Sequence, residues 1–147
     1  MPEGTIFLVV MKKNVLFLCT HNSCRSQVAE GFLRELFGDR FNAFSAGIEK
    51  TRVHPLAIKV MAEAGVDISG QYSKRVDELP EEEFDFVVTV CDKARESCPI
   101  PPRSGKIIHH SFEDPSRLKG DPEEVMEAFR KVRDQIKTWV EKTFSTE

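Results

Sequence analysis

Cys19-Thr20-His21-Asn22-Ser23-Cys24-Arg25-Ser26 follows directly on the apolar run Val15-Leu16-Phe17-Leu18. A short run of aliphatic, β-branched and aromatic residues reads as a buried strand. After the polar octet the pattern turns helical, with Val28, Phe32, Leu33 and Leu36 expected on one face. The octet is therefore a loop joining a strand to a helix N-terminus. Such a loop presents unpaired backbone N–H groups and the positive end of the helix dipole, which together bind an oxyanion.

Two side chains give that cradle a chemistry. Cys19 sits at its mouth, where groups that hold an anion also stabilise a thiolate. A free thiol titrates near ~8.5, and helix N-termini and cations lower that to roughly 3.5–7.5. Arg25 closes the loop, and its planar fork suits two oxygens of a tetrahedral anion. Ser26 is positioned to offer a hydroxyl to the Cys19 sulfur. The backbone and side chains from Thr20 through Arg25, with His21, Asn22, Ser23 and Cys24 between them, form the expected anion-binding loop.

Outward from the loop, strands and helices alternate. Strands are expected at 14–18, 41–45, 84–90 and 106–109, and helices at 26–37, from Pro55 to about Gly65, and from Pro122 onward. The last helix has Asp121 as N-cap, Pro122 at its first position, and an apolar stripe Val125, Phe129, Val132, Ile136, Val140. Phe32, Phe129 and Trp139 read as core. Alternation of this kind predicts a single α/β domain, a four-stranded parallel sheet flanked by helices on both faces. Anion sites in such sheets lie beyond the carboxyl ends of the strands. Cys19 and Cys91 each fall at such an end, and neighbouring strands would turn both sulfurs into one crevice.

Composition narrows the function classes. A chain of 147 residues with 40% hydrophobic and 31% charged residues fits one soluble globular domain. The net charge of −3, with basic residues dispersed, gives no footprint for nucleic acid. No apolar stretch approaches the ~20 residues a bilayer span needs, so membrane insertion is not expected. The run Ile6–Val10 is too short for a secretory signal, and Met11 precedes Lys12-Lys13 and the first strand. Residues 1–10 are thus expected to be an N-terminal extension, or else an extra edge strand, before a domain at 11–147. A cytoplasmic monomer is the expected state. The four cysteines, Cys19, Cys24, Cys91 and Cys98, lack the close pairing of zinc ligands, and the adjacent His109 and His110 suit no metal ion. No metal or bound cofactor is expected. In a cytosolic protein such cysteines are catalytic or redox-active more often than structural bridges.

Cys91 and Cys98 carry a geometric constraint. Seven residues apart on a helix, they would be separated by about 10 Å along its axis. A disulfide requires Cα atoms about 4.4–6.8 Å apart. The two thiols therefore cannot join while 92–97 is a regular helix, so that segment is expected to rearrange on oxidation.

The longer stretch Asn22-Ser23-Cys24-Arg25-Ser26-Gln27, followed by Ala29-Glu30-Gly31, resembles the arsenate reductases built on the low-molecular-weight tyrosine phosphatase fold. Phosphatases of that fold usually carry Pro in place of Gln27. Further matches run in family order: Ser45-Ala46-Gly47-Ile48, Asp67-Ile68-Ser69, Val87–Cys91, Cys98-Pro99 and Phe112-Glu113-Asp114-Pro115. The resemblance implies that Cys19 attacks arsenate held by Arg25 and the loop, with Asp114 as general acid. Asp114 read alone is a turn residue before proline. Cys91 would then attack the Cys19 adduct and Cys98 would attack Cys91, leaving a Cys91–Cys98 disulfide for thioredoxin, or for a glutaredoxin/glutathione system. Phosphate would bind as an analogue. A phosphatase has no use for the two extra thiols, whereas a reductase needs two electrons. A tyrosine phosphatase and a non-enzymatic oxyanion or redox sensor stay open as alternatives.

Some positions are ambiguous. Cys24 reads as loop packing or as a protective partner for Cys19, and Thr20 as a plain loop residue or a hydrogen-bond donor to Cys91. His21 stands where the family often has Gly, and is expected to tolerate a positive φ there. Its ring faces solvent or assists the Cys19 thiolate. Asn22, Glu30 and Ser45 match a network that holds potassium in some relatives. Lys74 replaces the Asp expected after Ser73, and its ammonium is expected to stand in for that ion.

Overall fold

The computed structural model describes residues 11–147, so the expectations for residues 1–10 lie outside the described residues. Four strands, β1 (Lys13–Cys19), β2 (Phe41–Gly47), β3 (Phe84–Thr89) and β4 (Ser104–His109), form one parallel sheet in the order β2-β1-β3-β4. Val15 through Cys19 are buried without alternation, as are Phe86 through Thr89. Successive side chains of a strand point to opposite faces, so unbroken burial means both faces are covered.

The cover is helical: α1 (Arg25–Phe37), α2 (Pro55–Glu63), the short α3 (Asp92–Ser97) and α4 (Pro122–Phe144). Asp121 caps α4 by accepting from Glu124 N at 2.9 Å, and His54 Nδ1 caps α2 by accepting from Leu56 N at 3.1 Å. After α2 the chain turns at Gly65, whose φ of +81° suits a residue without Cβ. α1 packs on β1, β2 and α4, and α2 packs on α4. Phe144 at the end of α4 meets Phe17, Phe41 and Phe86 edge-on, closing the core.

Local readings shift where packing overrides pattern. Leu36 is 37% exposed, because α1 buries Ser26 through Leu33 and then runs clear of the core. In α4, Met126 and not Val125 is fully buried, and Trp139 is only half-buried against His110 and Phe112. β2 and β4 extend beyond the expected stretches, to Gly47 and back to Ser104. β1 lies between β2 and β3, which brings the carboxyl ends bearing Cys19 and Cys91 side by side.

Candidate active site

The loop from Cys19 to Arg25 is pinned by its neighbours' backbone. Thr20 O accepts from Glu49 N (3.0 Å), Ser23 O from His54 N (2.9 Å), and His21 O from Ser73 Oγ (2.9 Å). The positive φ in the loop, +49°, belongs to Asn22 and not to His21, which corrects the expectation for His21. Asparagine accepts that conformation readily, and its side chain is committed to it. Asn22 Nδ2 donates to Ser26 Oγ (2.8 Å), while its Oδ1 accepts from Lys74 N (3.0 Å) and Gln27 Nε2 (2.9 Å). The His21 ring is about half-exposed and pairs with Glu49 at 3.2 Å.

Cys19 Sγ and Ser26 Oγ are 2.8 Å apart. Because Ser26 Oγ already accepts from Asn22, its one proton is free for the sulfur, where it favours negative charge. Across the gap between β1 and β3, Thr20 Oγ1 lies 3.4 Å from Cys91 Sγ. Cys91 Sγ also accepts from Ala94 N at 3.4 Å, acting as the N-cap of α3. Cys98 ends that helix, so the two thiols bracket α3 from its first turn to its last. All four cysteines are free and buried. Burial, then the charges of Cys19 and Cys91, pushes the Cys98 thiol up to about 11. Burial likewise pushes Cys24 far up, with Cys19 and Asp114 adding and Arg25 opposing, so Cys24 packs the loop as a neutral thiol.

Arg25 reaches over the loop, its Nη1 donating to Phe112 O (3.2 Å) and its Nη2 lying 3.4 Å from Asp114 Oδ2. Burial raises the Asp114 carboxyl, but the Ser116 hydroxyl, Arg25 and the Ser116 N–H together hold it below the ordinary carboxylate range. Asp114 Oδ1 accepts from Ser116 N (3.0 Å) and Ser116 Oγ (2.6 Å). Asp114 therefore forms the turn read from its sequence context and also faces the anion loop. Cys19, His21, Ser23, Cys24, Arg25, Thr51, Asp114 and Ser116 line a cavity of about 130 Å³, the scale of an inorganic tetrahedral anion.

Beneath the loop lies a buried polar cluster. Ser45 Oγ donates to Glu30 Oε1 (2.6 Å). Burial pushes the Glu30 carboxyl up, against the Ser45 bond and the charges of Lys74 and Arg34. The Lys74 ammonium donates to Tyr72 O (3.0 Å) and lies 4.4 Å from the Tyr72 ring centre. Burial pushes it below the usual lysine range despite Glu30 and Glu78. Gln27, quoted in the sequence only as a departure from phosphatases, is a hub. Its Nε2 reaches Asn22 O, Asn22 Oδ1 and Tyr72 O, and its own carbonyl groups accept from Gln71 Nε2. The pattern rule for an amphipathic helix cannot flag a polar residue on the buried face. Among the described residues no group of three or more His, Cys, Asp or Glu is arranged to hold a metal ion.

With this geometry in view, the family model of the low molecular weight phosphotyrosine protein phosphatases matches residues 14–146. The chain belongs to that family. Within it, a protein of Halalkalibacterium halodurans named arsenate reductase is 46% identical over 125 residues, 85% of this chain and 90% of the relative. A solved structure of an arsenate reductase in the phosphate binding state superposes with a TM-score of 0.71 at 36% identity, covering 91% of this chain and 98% of that one. The thioredoxin-dependent arsenate reductase of Corynebacterium glutamicum aligns at 26% identity and a TM-score of 0.63, covering 95% of this chain and 66% of that chain.

Proposed function

We propose that this protein is an arsenate reductase that draws two electrons from its own thiols. The observation that carries the reading is the placement of Cys91 beside the anion loop, 3.4 Å from Thr20 Oγ1, with Cys98 at the far end of the helix that Cys91 caps. A hydrolase of this fold needs only Cys19, Arg25 and an acid. The two further buried thiols fit a reaction that must deliver electrons.

The steps follow from the residues. Arsenate enters the cavity and takes Arg25 from Asp114, exchanging a carboxylate for a more highly charged anion. Losing that partner favours the protonated acid, which takes its proton from solvent while the substrate keeps its own hydroxyl. The Cys19 thiolate attacks arsenic while Asp114 protonates the departing oxygen, which leaves as water. Cys91 then attacks the Cys19 sulfur. A Cys19–Cys91 bond forms, the sulfur–arsenic bond breaks, and its electron pair stays on arsenic as arsenite. Cys98 attacks Cys91 through a thiolate, freeing Cys19 and leaving a Cys91–Cys98 disulfide. Its raised titration means that this last attack gains from alkaline conditions. Thioredoxin is the proposed reductant, supported by the thioredoxin dependence of the C. glutamicum relative. Glutaredoxin with glutathione is the alternative donor. The buried Lys74 ammonium supplies the cationic charge beneath the loop, with Glu30 as its counter-charge. No helix among the described residues is long and apolar enough to cross a membrane, and a cytoplasmic monomer is the proposed setting.

The experiment couples arsenate to NADPH oxidation through thioredoxin and thioredoxin reductase, using wild type, Cys91→Ser and Cys98→Ser. The reductase reading expects multiple turnover in wild type only. Efficient cleavage of an aryl phosphate by all three proteins would identify a phosphatase, and turnover of neither substrate would identify a sensor.

A further inference from the structure

One imidazole bridges the two sides of Cys91. Thr89 ends β3, Asp92 begins α3, and Cys91 lies between them. His109 ends β4, directly opposite Thr89 in the sheet register. Its Nδ1 is 2.7 Å from Thr89 Oγ1, and its Nε2 is 3.0 Å from Asp92 Oδ1. A carboxylate only accepts, so Nε2 carries the proton, and in the neutral ring Nδ1 accepts from the Thr89 hydroxyl. That tautomer is assigned from the network, and one neutral ring satisfies both bonds.

The helix so tied has little else to hold it. α3 is six residues long and buries only Ala94. Isolated helices of that length are not stable in water, and segments with so few buried contacts open first. Beyond backbone bonds such as Arg95 N on Cys91 O and Cys98 N on Ala94 O, its first turn is tied by the Cys91 sulfur on Ala94 N and by the Asp92–His109 bond. Unwinding of the first turn to bring Cys91 toward Cys98 breaks both. Consecutive Cα atoms are 3.8 Å apart, so movement of Cys91 toward Cys19 draws Asp92 off the ring.

We propose that His109 is a positioning residue that, through Asp92 and Thr89, latches the first turn of α3. The latch keeps Cys91 aimed at Cys19 and apart from Cys98 until Cys91 has moved. The proposal rests on the thiol relay described above, and it assigns the timing of the second exchange to groups that touch neither arsenate nor sulfur.

The test avoids arsenate altogether. In a Cys19→Ser background, hydrogen peroxide oxidises one thiol of the Cys91–Cys98 pair to a sulfenic acid, releasing water. The second thiol condenses with it, forming the disulfide and a second water. Peptide mapping follows the rate of that bond. Asp92→Ala and His109→Ala are each expected to speed it about fivefold, the factor associated with one net hydrogen bond. The double variant should be no faster than either single one, as coupled partners require. Asp92→Asn keeps an acceptor for Nε2 and should stay within about twofold of the parent. In the reduced protein with Cys19 intact, amide exchange of 92–97 should rise by the same factor in the two alanine variants. Unchanged exchange and oxidation in Asp92→Ala overturn the latch. So does an Asp92→Asn protein as fast as Asp92→Ala, which would assign the effect to charge at the helix start. If His109→Ala fails to fold, the exposed Asp92 pair decides alone. If no Cys91–Cys98 bond forms in any variant, the relay falls while amide exchange still decides the latch.

Discussion

Replacing Gly47 with alanine tests how tightly the anion loop is held. Gly47 closes β2 beside the loop, and a Cβ there would lie 2.7 Å from Glu49 O, 2.8 Å from Asn22 N and 2.9 Å from Thr20 O. All three are backbone atoms, two of them in the loop itself. Ordinary contact between such atoms begins near ~3.5 Å, so the loop must shift by about 0.6–0.8 Å. Overpacking of this kind costs about 1–3 kcal/mol. At roughly 2–4 °C per kcal/mol for a domain of this size, the melting temperature should fall by about 5 °C. The effect on catalysis is larger, because displacement of a catalytic group by about 1 Å costs on the order of a hundredfold. We expect kcat/KM for arsenate to drop about a hundredfold in a protein still folded at 25 °C, and phosphate binding measured by calorimetry to weaken in parallel. Gly70→Ala, where nothing lies within 4 Å of the added carbon, is the control and should be silent. A Gly47→Ala protein with wild-type melting, phosphate affinity and turnover would refute the reasoning.

Ser26→Ala removes the hydroxyl aimed at Cys19 and should slow formation of the first disulfide about ten- to hundredfold, the range for a hydrogen bond to a charged group. Rapid-quench trapping checks this, and an unchanged rate contradicts it. Asp114→Asn tests the pH dependence of stability. The folded carboxyl titrates below its unfolded value near 3.9, so its ionised form stabilises the fold above that value. The stabilisation disappears as pH falls through the lower folded value. The stability difference between wild type and Asp114→Asn should be flat from roughly pH 5 to 8 and shrink in acid, as denaturant melts would record. For Lys74, equal concentrations of potassium and sodium chloride should support the same turnover in wild type. A specific potassium stimulation would show that the ammonium does not replace an ion.

The strands, the main helices and the anion loop were legible in the sequence, because each rests on a local signal. Val15–Leu18 is an unbroken apolar run, Phe84–Val90 is rich in β-branched and aromatic residues, and Asp121-Pro122 writes a helix start into the chain. The pairing of Cys19 with Cys91 was conditional on strand order, which no local pattern encodes. The placement of β1 beside β3 shows that the two strand ends are neighbours. Gln27 and the Thr89–His109–Asp92 chain were not legible, since hydrogen-bond partners 17 to 45 residues apart leave no periodicity to read. His21 and Asn22 show the finer limit. Asn22, which takes the positive φ, is held by Gln27 Nε2 on the next helix and by Lys74 N, far away in the chain.

The most direct measurement is a single turnover of the Cys98→Ser protein with arsenate, free of any other thiol. The account predicts one equivalent of arsenite and a disulfide joining Cys19 to Cys91 by peptide mapping. Arsenite without that bond, or a disulfide joining Cys19 to Cys24, would contradict it.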